Sequence, residues 1–366
     1  MPRPVAVDPH FRAELRRLRE QQGLSVRDLA RIAPVSKSQI HDLETGRRQP
    51  TEETASVLDH ALGAGGRLAA MVRPAGPPPE AAERLDYVAV HPRRVDPATL
   101  DALTDLLAAQ RRLEDSIGSA AILGPVHAQL GLVASLVAEA GGDLRPRLVD
   151  LASQWAQFAG WLLAASGRPA DASRQYVQAL EWATEVGRRD MVATALSMRG
   201  HLAWMARRPG PVVGLSSAAR REATSPGVRA LAAQQEARGH ALAGDVSSVD
   251  PLLDFAEELA AADDPCRPEW LYFYGGRYLT MQRGLAYRLV GRHAAAVEQL
   301  AAGLGDRPYG GWPEWVGPYL VHLAASLREV GERGRADWVL HEAEELAAAT
   351  GSARVRAAVR SLSARR

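Results

Sequence analysis

The sequence predicts an all-α protein in two parts, a small N-terminal domain followed by a much longer array of helical hairpins. Three observations lead to this prediction. Apolar residues recur with helical spacing along the chain of 366 residues, and no convincing run of alternating strand follows residue 80. A proline-rich segment interrupts this pattern at residues 73–80. Beyond that segment, glycines recur about 40 residues apart inside helical segments, which is typical of repeat proteins.

Four short helices, followed by a fifth of about one turn, are predicted in the first 72 residues. The first helix carries apolar residues on one face, namely Phe11, Leu15 and Leu18. Ser25 and Ser36 are the expected N-caps of the second and third helices, because a serine hydroxyl can accept a hydrogen bond from a free amide of the first turn. Asp28 completes an approximate capping box with Ser25. Gly23 and Gly46 are the expected ends of the first and third helices.

The segment RPAGPPPE, residues 73–80, cannot continue a helix and predicts a stiff, extended linker. The expected domain organisation is therefore a head at residues 1–72, the linker at 73–80, and a helical repeat domain at 81–366. A chain of this length is too long for one compact core, which agrees with this division.

The repeats of the second part are marked by Gly160, Gly200, Gly239 and Gly284, each expected in the first helix of a hairpin. A small residue there allows a second helix to approach closely. Turns and second helices follow at Gly167, Gly291 and Gly334, although the units of Gly200 and Gly239 lack a clear second-helix pattern. The pattern resembles tetratricopeptide-type repeats, in a degenerate form, and the resemblance implies a solenoid with a concave groove.

A second resemblance covers residues 23–50, which read GLSVRDLARIAPVSKSQIHDLETGRRQP. The glycine, proline, cap and apolar positions of this segment resemble the Cro/repressor (XRE) family of helix-turn-helix domains. The resemblance implies that the third helix enters the major groove of DNA. It also implies an ion pair between Arg19 and Glu44 that joins the first helix to the end of the third. Val26 departs from the family, which often carries a phosphate-contacting glutamine there.

The same resemblance implies which residues contact DNA. Candidates for base contacts are Lys37, Ser38 and Asp42, with Ser36 and His41 beside them; candidates for backbone contacts are Gln39, Arg47 and Arg48. Lysine can donate to guanine acceptors, whereas Asp42 either accepts from a cytosine amino group or repels phosphate. Lys37 is also the only lysine of the sequence. The net charge of +1 by itself does not indicate a nucleic-acid partner.

The repeat domain offers a second candidate site. With the four glycines as a register, the first-helix face presents Gln157, Trp161, Ser197, His201, Trp204, Glu236, His240 and Tyr278. Aromatic groups mixed with polar groups suit a recognition surface, although some of these residues would instead pack between helices. A second aromatic cluster favours core over pocket, and comprises Trp270, Tyr272, Phe273, Tyr274, Tyr309, Trp312, Trp315 and Tyr319.

The combination of such a head with such an array resembles two groups of bacterial regulators, namely peptide-sensing quorum regulators and actinobacterial XRE regulators with helical repeats. The Arg- and Ala-rich composition favours the second group. The implied function is transcription regulation by a homodimer bound to a double-stranded operator. A peptide, small molecule or protein partner in the groove would change the spacing of two heads. The alternative is a protein-interaction adaptor whose helix-turn-helix does not bind DNA.

Other classes of protein find little support in the sequence. The motifs HExxH, CxxC, GxSxG and the phosphate loop are absent, so we expect no enzyme, no cofactor and no metal site. His201 and His240 have no carboxylate at ligand spacing. We expect no membrane-spanning segment and no signal peptide. The single cysteine, Cys266, cannot form an intrachain disulfide, which fits the cytoplasm.

Overall fold

The computed structural model describes residues 5–7, 11–64, 67–74, 79–262, 264, 267–305 and 312–364. The chain divides into two compact units, residues 1–85 with 307–312, and residues 86–306 with 313–366. We call residues 5–74 the head, and the helices that follow residue 90 the array. Cys266 and Tyr309 lie outside the described residues.

The head consists of five helices and a short ribbon. The helices are α1 Phe11–Gln21, α2 Val26–Ile32, α3 Lys37–Thr45, α4 Glu52–Ala61 and α5 Arg67–Ala70. The ribbon pairs β1 Val5–Val7 with β2 Val72–Pro74 in antiparallel register, Val5 opposite Pro74. The all-α prediction is confirmed with this one addition. Strands of three residues are too short to produce a recognisable alternation in the sequence.

The caps expected from the sequence set the ends of the head helices. The amide of Asp28 donates to Oγ of Ser25 at 3.1 Å and the Asp28 carboxylate accepts from the Ser25 amide, so the capping box is confirmed. Gly46 ends α3 with a φ of 74°, a conformation that glycine adopts without strain. Phe11, Leu15 and Leu18 are buried in the head core, as the helical spacing predicts.

The expected linker 73–80 has structure at both of its ends. Residues 73 and 74 belong to β2, and residues 79 and 80 open helix α6, Pro79–Val90. Residues 75–78 lie outside the described residues. The proline at the start of α6 needs no amide hydrogen bond in the first helical turn, which is why a proline-rich segment can lead directly into a helix.

The array is a succession of helices, each packed against the next. Its helices are α7 Pro97–Ile117, α8 Ser119–Glu139, α9 Arg145–Ala165, α10 Pro169–Glu185, α11 Arg189–Met205, α12 Pro209–Glu222, α13 Pro226–Ala243, α14 Val249–Ala261, α15 Gly276–Leu289, α16 His293–Leu304, α17 Gly317–Glu329, α18 Arg333–Ala349 and α19 Ala353–Ser363. Helices α12 and α14 are the second helices of the two units that lack a clear pattern. The helical-hairpin array is confirmed.

The repeat glycines lie where helices approach closely, but they do not all face the same neighbour. A Cβ added at Gly160 would lie 2.5 Å from Cε1 of Tyr176 on α10, and one at Gly284 would lie 2.8 Å from the Leu300 amide nitrogen on α16. Both glycines therefore face the following helix, as Gly200 also does. Gly239 instead faces α12, the preceding helix, 3.0 Å from the amide nitrogen of Val213.

One helix of the described residues, α8, is long and apolar enough to cross a membrane by length and composition, with a mean hydropathy of 1.6. The sequence analysis overlooked it because His127 and Gln129 interrupt the apolar run. One face of α8 is buried among its neighbours through Ile122, Val126 and Val133. The helix is therefore the apolar second member of the α7–α8 hairpin.

Candidate functional site

Helix α3 presents a polar surface on a fixed support. Its inner residues Ile40 and Leu43 are buried in the head core. The hydroxyl of Ser36 accepts from the amide of Gln39 at 3.1 Å, which satisfies one free amide at the start of the helix. The outer face of α3 is consequently held in one orientation.

The expected ion pair between Arg19 and Glu44 is confirmed. Nε of Arg19 donates to Oε1 of Glu44 at 2.6 Å, and Nη2 donates to Oε2 at 3.0 Å. Nη1 of the same guanidinium donates to the Leu24 carbonyl at 2.8 Å. Both side chains are about nine-tenths buried, and the hydrogen bonds that Arg19 donates to Glu44 raise the pKa of Arg19. The pair fixes the end of α3 against α1.

The candidate DNA contacts fall into two groups by exposure. Ser36, Lys37, Ser38, His41, Arg47 and Arg48 are exposed, whereas Gln39 and Asp42 are half-buried. The set therefore forms a largely solvent-facing surface at α3 and just after it. Val26 is half-buried against the head core, so the position that departs from the family is used for packing.

One further basic residue lies near this surface. Arg12 is exposed on α1, and its Nη1 lies 3.1 Å from the position that a Cβ at Gly46 would occupy. Gly46 immediately precedes Arg47 in the chain. Sequence reasoning missed Arg12 because it lies on a different helix, far from α3 along the chain.

A cavity of about 120 Å³ lies inside the array. Five of its walls are the first helices α9, α11, α13, α15 and α17, and α7 and α19 close it. Its aromatic lining comprises Phe158, Trp161, Trp204, Trp270, Tyr272, Phe273, Tyr278, Trp315 and Tyr319. Charged and polar side chains are interspersed with these rings. A concave, mostly apolar site with a few polar groups is typical of small-molecule binding.

The structure brings together five of the eight candidate ligand residues. Gln157, Trp161, His201, Trp204 and Tyr278 all line the cavity. The other three do not: Ser197 is buried and its carbonyl accepts from Gln235, Glu236 accepts from Arg220 at 2.7 Å, and His240 pairs with Asp245 at 2.9 Å.

The misplacement on α13 has a physical cause. The register assumed that every repeat glycine faces its following helix, and Gly239 faces the preceding one. Helix α13 is therefore rotated about its axis relative to the other first helices. As a result Leu231, Gln235 and Arg238 line the cavity, in place of Glu236 and His240. Their spacing of four and three residues is that of one helix face.

The second aromatic cluster belongs both to the core and to the cavity wall. The expected core placement holds for Trp270, Tyr274 and Tyr319, which are buried. Trp270 and Tyr319 also line the cavity, as do Tyr272, Phe273 and Trp315. Phe273, Tyr278 and Trp315 form tilted and edge-on ring contacts with centroids 5.3 to 6.4 Å apart. Packing among aromatic rings and lining of a cavity are not alternatives here.

Two arginines in the cavity stand over indole rings, and a third over a phenyl ring. Cζ of Arg238 lies 4.1 Å from the Trp204 ring centroid, and Cζ of Arg354 lies 5.7 Å from that of Trp161. Cζ of Arg111 lies 5.8 Å from the ring centroid of Phe158. Burial lowers the pKa of Arg111 to about 10, and it also lowers the pKa of Arg238 and of Arg354. All three remain cations at neutral pH.

The acidic side of the cavity is formed by adjacent residues of α7. Glu114 accepts hydrogen bonds from Oγ of Ser119 at 2.6 Å and from Nε1 of Trp161 at 3.1 Å. Asp115 accepts from Nε1 of Trp315 at 3.1 Å. Burial raises the pKa of Glu114 to about 7 and that of Asp115 to about 6. Sequence reasoning missed both acids, Arg111 and Arg354 because α7 and α19 carry no repeat glycine of the register that was used. It missed Arg238 because α13 is rotated relative to that register.

Two histidines complete the polar lining. His201 lies between Trp161 and Trp204, with ring centroids 6.2 and 5.5 Å away. Burial lowers the pKa of His201 well below its ordinary value, and it lowers that of His322 to about 3. Both imidazoles are therefore neutral at physiological pH. Within the described residues, no group of three His, Cys, Asp or Glu side chains has the arrangement of a metal site.

Comparison with known proteins concerns chiefly the head. Residues 10–71 match a family model described as a helix-turn-helix domain. No curated protein matches the chain. Among solved structures, the chain is similar to PlcR of Bacillus thuringiensis, crystallised in complex with the peptide PapR7 and DNA. The identity is 11%, the alignment covers 96% of this chain and 99% of that chain, and the TM-score is 0.37. The N-terminal part of the chain thus carries a helix-turn-helix domain.

Proposed function

We propose that this protein is a sequence-specific DNA-binding transcriptional regulator of the Cro/repressor type, which acts in the cytoplasm and is controlled through its array. The observation that carries the proposal is the outer face of α3 within a matched helix-turn-helix domain. Its polar side chains are exposed, while the opposite face is locked into the head core. A helix held in this way can enter a major groove without rearranging.

The proposed roles follow from the chemistry of each side chain. Lys37 and Ser38, beside Ser36 and His41, contact base edges, and lysine prefers the acceptors of guanine. Asp42 accepts from a cytosine amino group, or repels phosphate and so sharpens selectivity. Gln39, Arg47 and Arg48 contact phosphates, which sets the position of the head on the duplex without specifying sequence. The proposal assigns no catalytic step to any of them.

We further propose that the chain acts as a homodimer. One head buries little surface on DNA, so useful affinity normally requires two heads on two half-sites. An effector in the array would change the spacing of the heads and thereby the affinity for the operator. Sedimentation equilibrium of the free chain tests the dimer, and an operator with inverted half-sites is the expected target.

The decisive experiment is recovery and sequencing of genomic DNA bound by the full chain. We compare the wild type with Lys37→Ala, Lys37→Arg and, as a control, Arg335→Ala. Arg335 pairs with Glu332 on the surface of the array, so its loss changes the net charge equally without touching the head. Lys37→Ala should weaken binding to enriched sites by roughly 10- to 100-fold, the cost of one base contact. Arg335→Ala should leave the enriched sites unchanged.

The competing function predicts a different result. An adaptor whose head does not read DNA would retain no fragment at low salt, or would retain all fragments equally and lose them equally in every variant. A Lys37→Arg variant that keeps overall affinity but changes the enriched sequence would support base reading by this residue. Arg47→Ala and Arg48→Ala should instead weaken all sites alike and reduce the dependence of affinity on salt.

A further inference from the structure

We infer that the array cavity binds a small organic anion with a flat apolar body of about one ring, whose acidic group is held by Arg238 and Arg354. The inference rests on the proposed function in treating this anion as the effector. Binding itself concerns the array alone, and it can be measured without DNA.

Three arginines of the cavity have buried donors with unused hydrogen-bonding capacity. Within the described residues, Nε of Arg238, a residue only 3% exposed, has no partner, and neither have Nη2 of Arg111 and Nε of Arg354. Leaving a buried charged donor unpaired costs more than leaving a neutral one. An anionic group within reach of these donors would remove that cost.

Arg238 and Arg354 flank the same small region. Nη2 of Arg238 lies 3.0 Å from Nδ1 of His201, while Arg354 stands over Trp161, the ring on the other side of His201. Burial lowers the pKa of His201 most, and both guanidinium charges act on it in the same direction, so its imidazole is neutral. A planar guanidinium can donate two parallel hydrogen bonds to a carboxylate, which lysine cannot do.

The cavity acids do not pair directly with these arginines, although the charge of Glu114 acts on Arg354 from a distance. Glu114 and Asp115 accept from indole and hydroxyl donors, and no ion pair joins either to an arginine within the described residues. Neither has a buried oxygen without a partner, again within the described residues. Their high pKa values leave part of their population uncharged near neutral pH. The incomplete hydrogen bonding is thus on the cationic side of the cavity, which favours an anion over an amine.

The body of the ligand follows from the walls and the volume. Rings of tryptophan, tyrosine and phenylalanine form most of the lining. An apolar cavity of about 150 Å³ holds benzene in another protein. The array cavity, at about 120 Å³, is of that order, so the apolar body of the ligand is no larger than one ring. Oε1 of Gln235, buried and without a partner, would accept from a hydroxyl or amide on the same ligand.

The test uses three probes of nearly equal size and different charge, namely benzoate, benzamide and benzylamine. Each is titrated into the full chain at neutral pH, and heat and tryptophan fluorescence are recorded. Benzoate should bind at least about tenfold more tightly than benzamide, which corresponds to about 1.4 kcal/mol, and benzylamine should bind most weakly. Arg238→Gln should reduce the preference for benzoate to within about twofold.

Two further variants distinguish a specific loss of binding from a loss of folding. Arg112→Gln removes an exposed cation from the same helix as Arg111 and should bind as the wild type does. Gln235→Glu introduces a carboxylate beside Arg238 that competes with the ligand for the same donors, so benzoate affinity should fall while benzamide affinity is kept. Thermal unfolding of each variant establishes that the array is intact.

The inference is overturned if benzamide or benzylamine binds as tightly as benzoate, or if none of the three binds in the millimolar range. It is also overturned if Arg238→Gln folds and keeps the preference for benzoate. A chain that binds benzoate in the cavity but retains no genomic DNA contradicts the proposed regulator and leaves the cavity site standing. A chain that reads DNA but binds no anion contradicts only the cavity site.

Discussion

The head and the array differ in how completely their buried charged side chains are hydrogen-bonded. In the head, the buried ion pair of Arg19 and Glu44 has a complete set of partners, and the other candidate side chains are mostly exposed. In the array, Arg111 and Arg238 are buried beside a cavity and have donors without partners. A buried ion pair is costly to break because removal of one partner leaves a buried charge, whereas a buried donor without a partner needs an explanation, which we propose is a ligand in the array.

The largest effect that tests this comparison is expected from Arg19→Ala. The substitution leaves the Glu44 carboxylate buried without its partner, and should cost the head about 3 to 5 kcal/mol. Hydrogen exchange of residues 11–64 measures the loss. Arg16→Ala breaks an exposed pair with Glu20 and should change stability by less than about 1 kcal/mol. If the two variants lost equal stability, the buried pair would stabilise the head no more than the exposed pair does.

The next largest effect is a pH dependence of array stability. The folded array keeps the proton of Glu114 up to about pH 7, whereas the unfolded chain releases it near the ordinary value of 4.5. Stability from this carboxyl is therefore full below about pH 4.5 and is lost as the pH rises through 7. The loss should be about 3 kcal/mol, and Glu114→Gln should remove that part of the pH dependence.

Urea unfolding, followed by tryptophan fluorescence at several pH values, measures this effect in the array. Residues 11–74 contain no tryptophan, and Trp312 is the one tryptophan assigned to the first compact unit, so the signal comes chiefly from the array. Glu139→Gln is the matched control, because Glu139 pairs with Arg93 on the surface. If the free energy of unfolding of Glu114→Gln depends on pH in the same way as that of the wild type, the raised pKa assigned to Glu114 is contradicted.

An intermediate effect is expected where helices of the array approach closely. Gly284→Ala brings a Cβ to 2.8 Å from the Leu300 amide nitrogen, and the backbone of α16 must shift. The cost should be about 2 kcal/mol by urea unfolding. Gly131→Ala in α8, where nothing lies within 4 Å, should instead stabilise by about 0.5 to 1 kcal/mol. If both variants were stabilised, the close approach at Gly284 would be refuted.

The smallest effect concerns the start of α3. Ser36→Ala removes the hydroxyl that accepts from the Gln39 amide, and should cost the head about 1 kcal/mol. Local hydrogen exchange at residues 37–45 measures it. Ser56→Ala, at an exposed position within α4, should be neutral or slightly stabilising because alanine favours helices. If Ser36→Ala leaves the stability of the head unchanged, the orientation of α3 is fixed by its core residues alone.

The head could be predicted in detail because its signals are local. A cap such as Ser25 and a terminator such as Gly46 act within a few residues, so the sequence alone specifies them. The Arg19–Glu44 pair joins distant positions, and only the family resemblance indicated it. The ribbon was missed because the pairing of its two short strands depends on the folded head.

The cavity could be predicted only in part because it depends on the rotation of each helix. The repeat glycines placed Gln157, Trp161, His201 and Trp204 correctly on its wall. On α13 the same register gave the wrong residues, because Gly239 faces the preceding helix. Arg238 lines the cavity there, where Glu236 and His240 were expected. The local sequence does not indicate which neighbouring helix a small residue will face, because the packing of the whole array determines it.

Lys37 is the only lysine of the sequence, and this has a practical consequence for chemical coupling of the protein. Apart from the chain terminus, its exposed ammonium is the only primary amine available to reagents that couple proteins to a solid support. Molecules attached through Lys37 would be tethered by the start of α3, the surface proposed to contact DNA. A biosensor prepared in this manner should report small-molecule binding while being blind to an operator, and capture through a C-terminal tag should restore the second response.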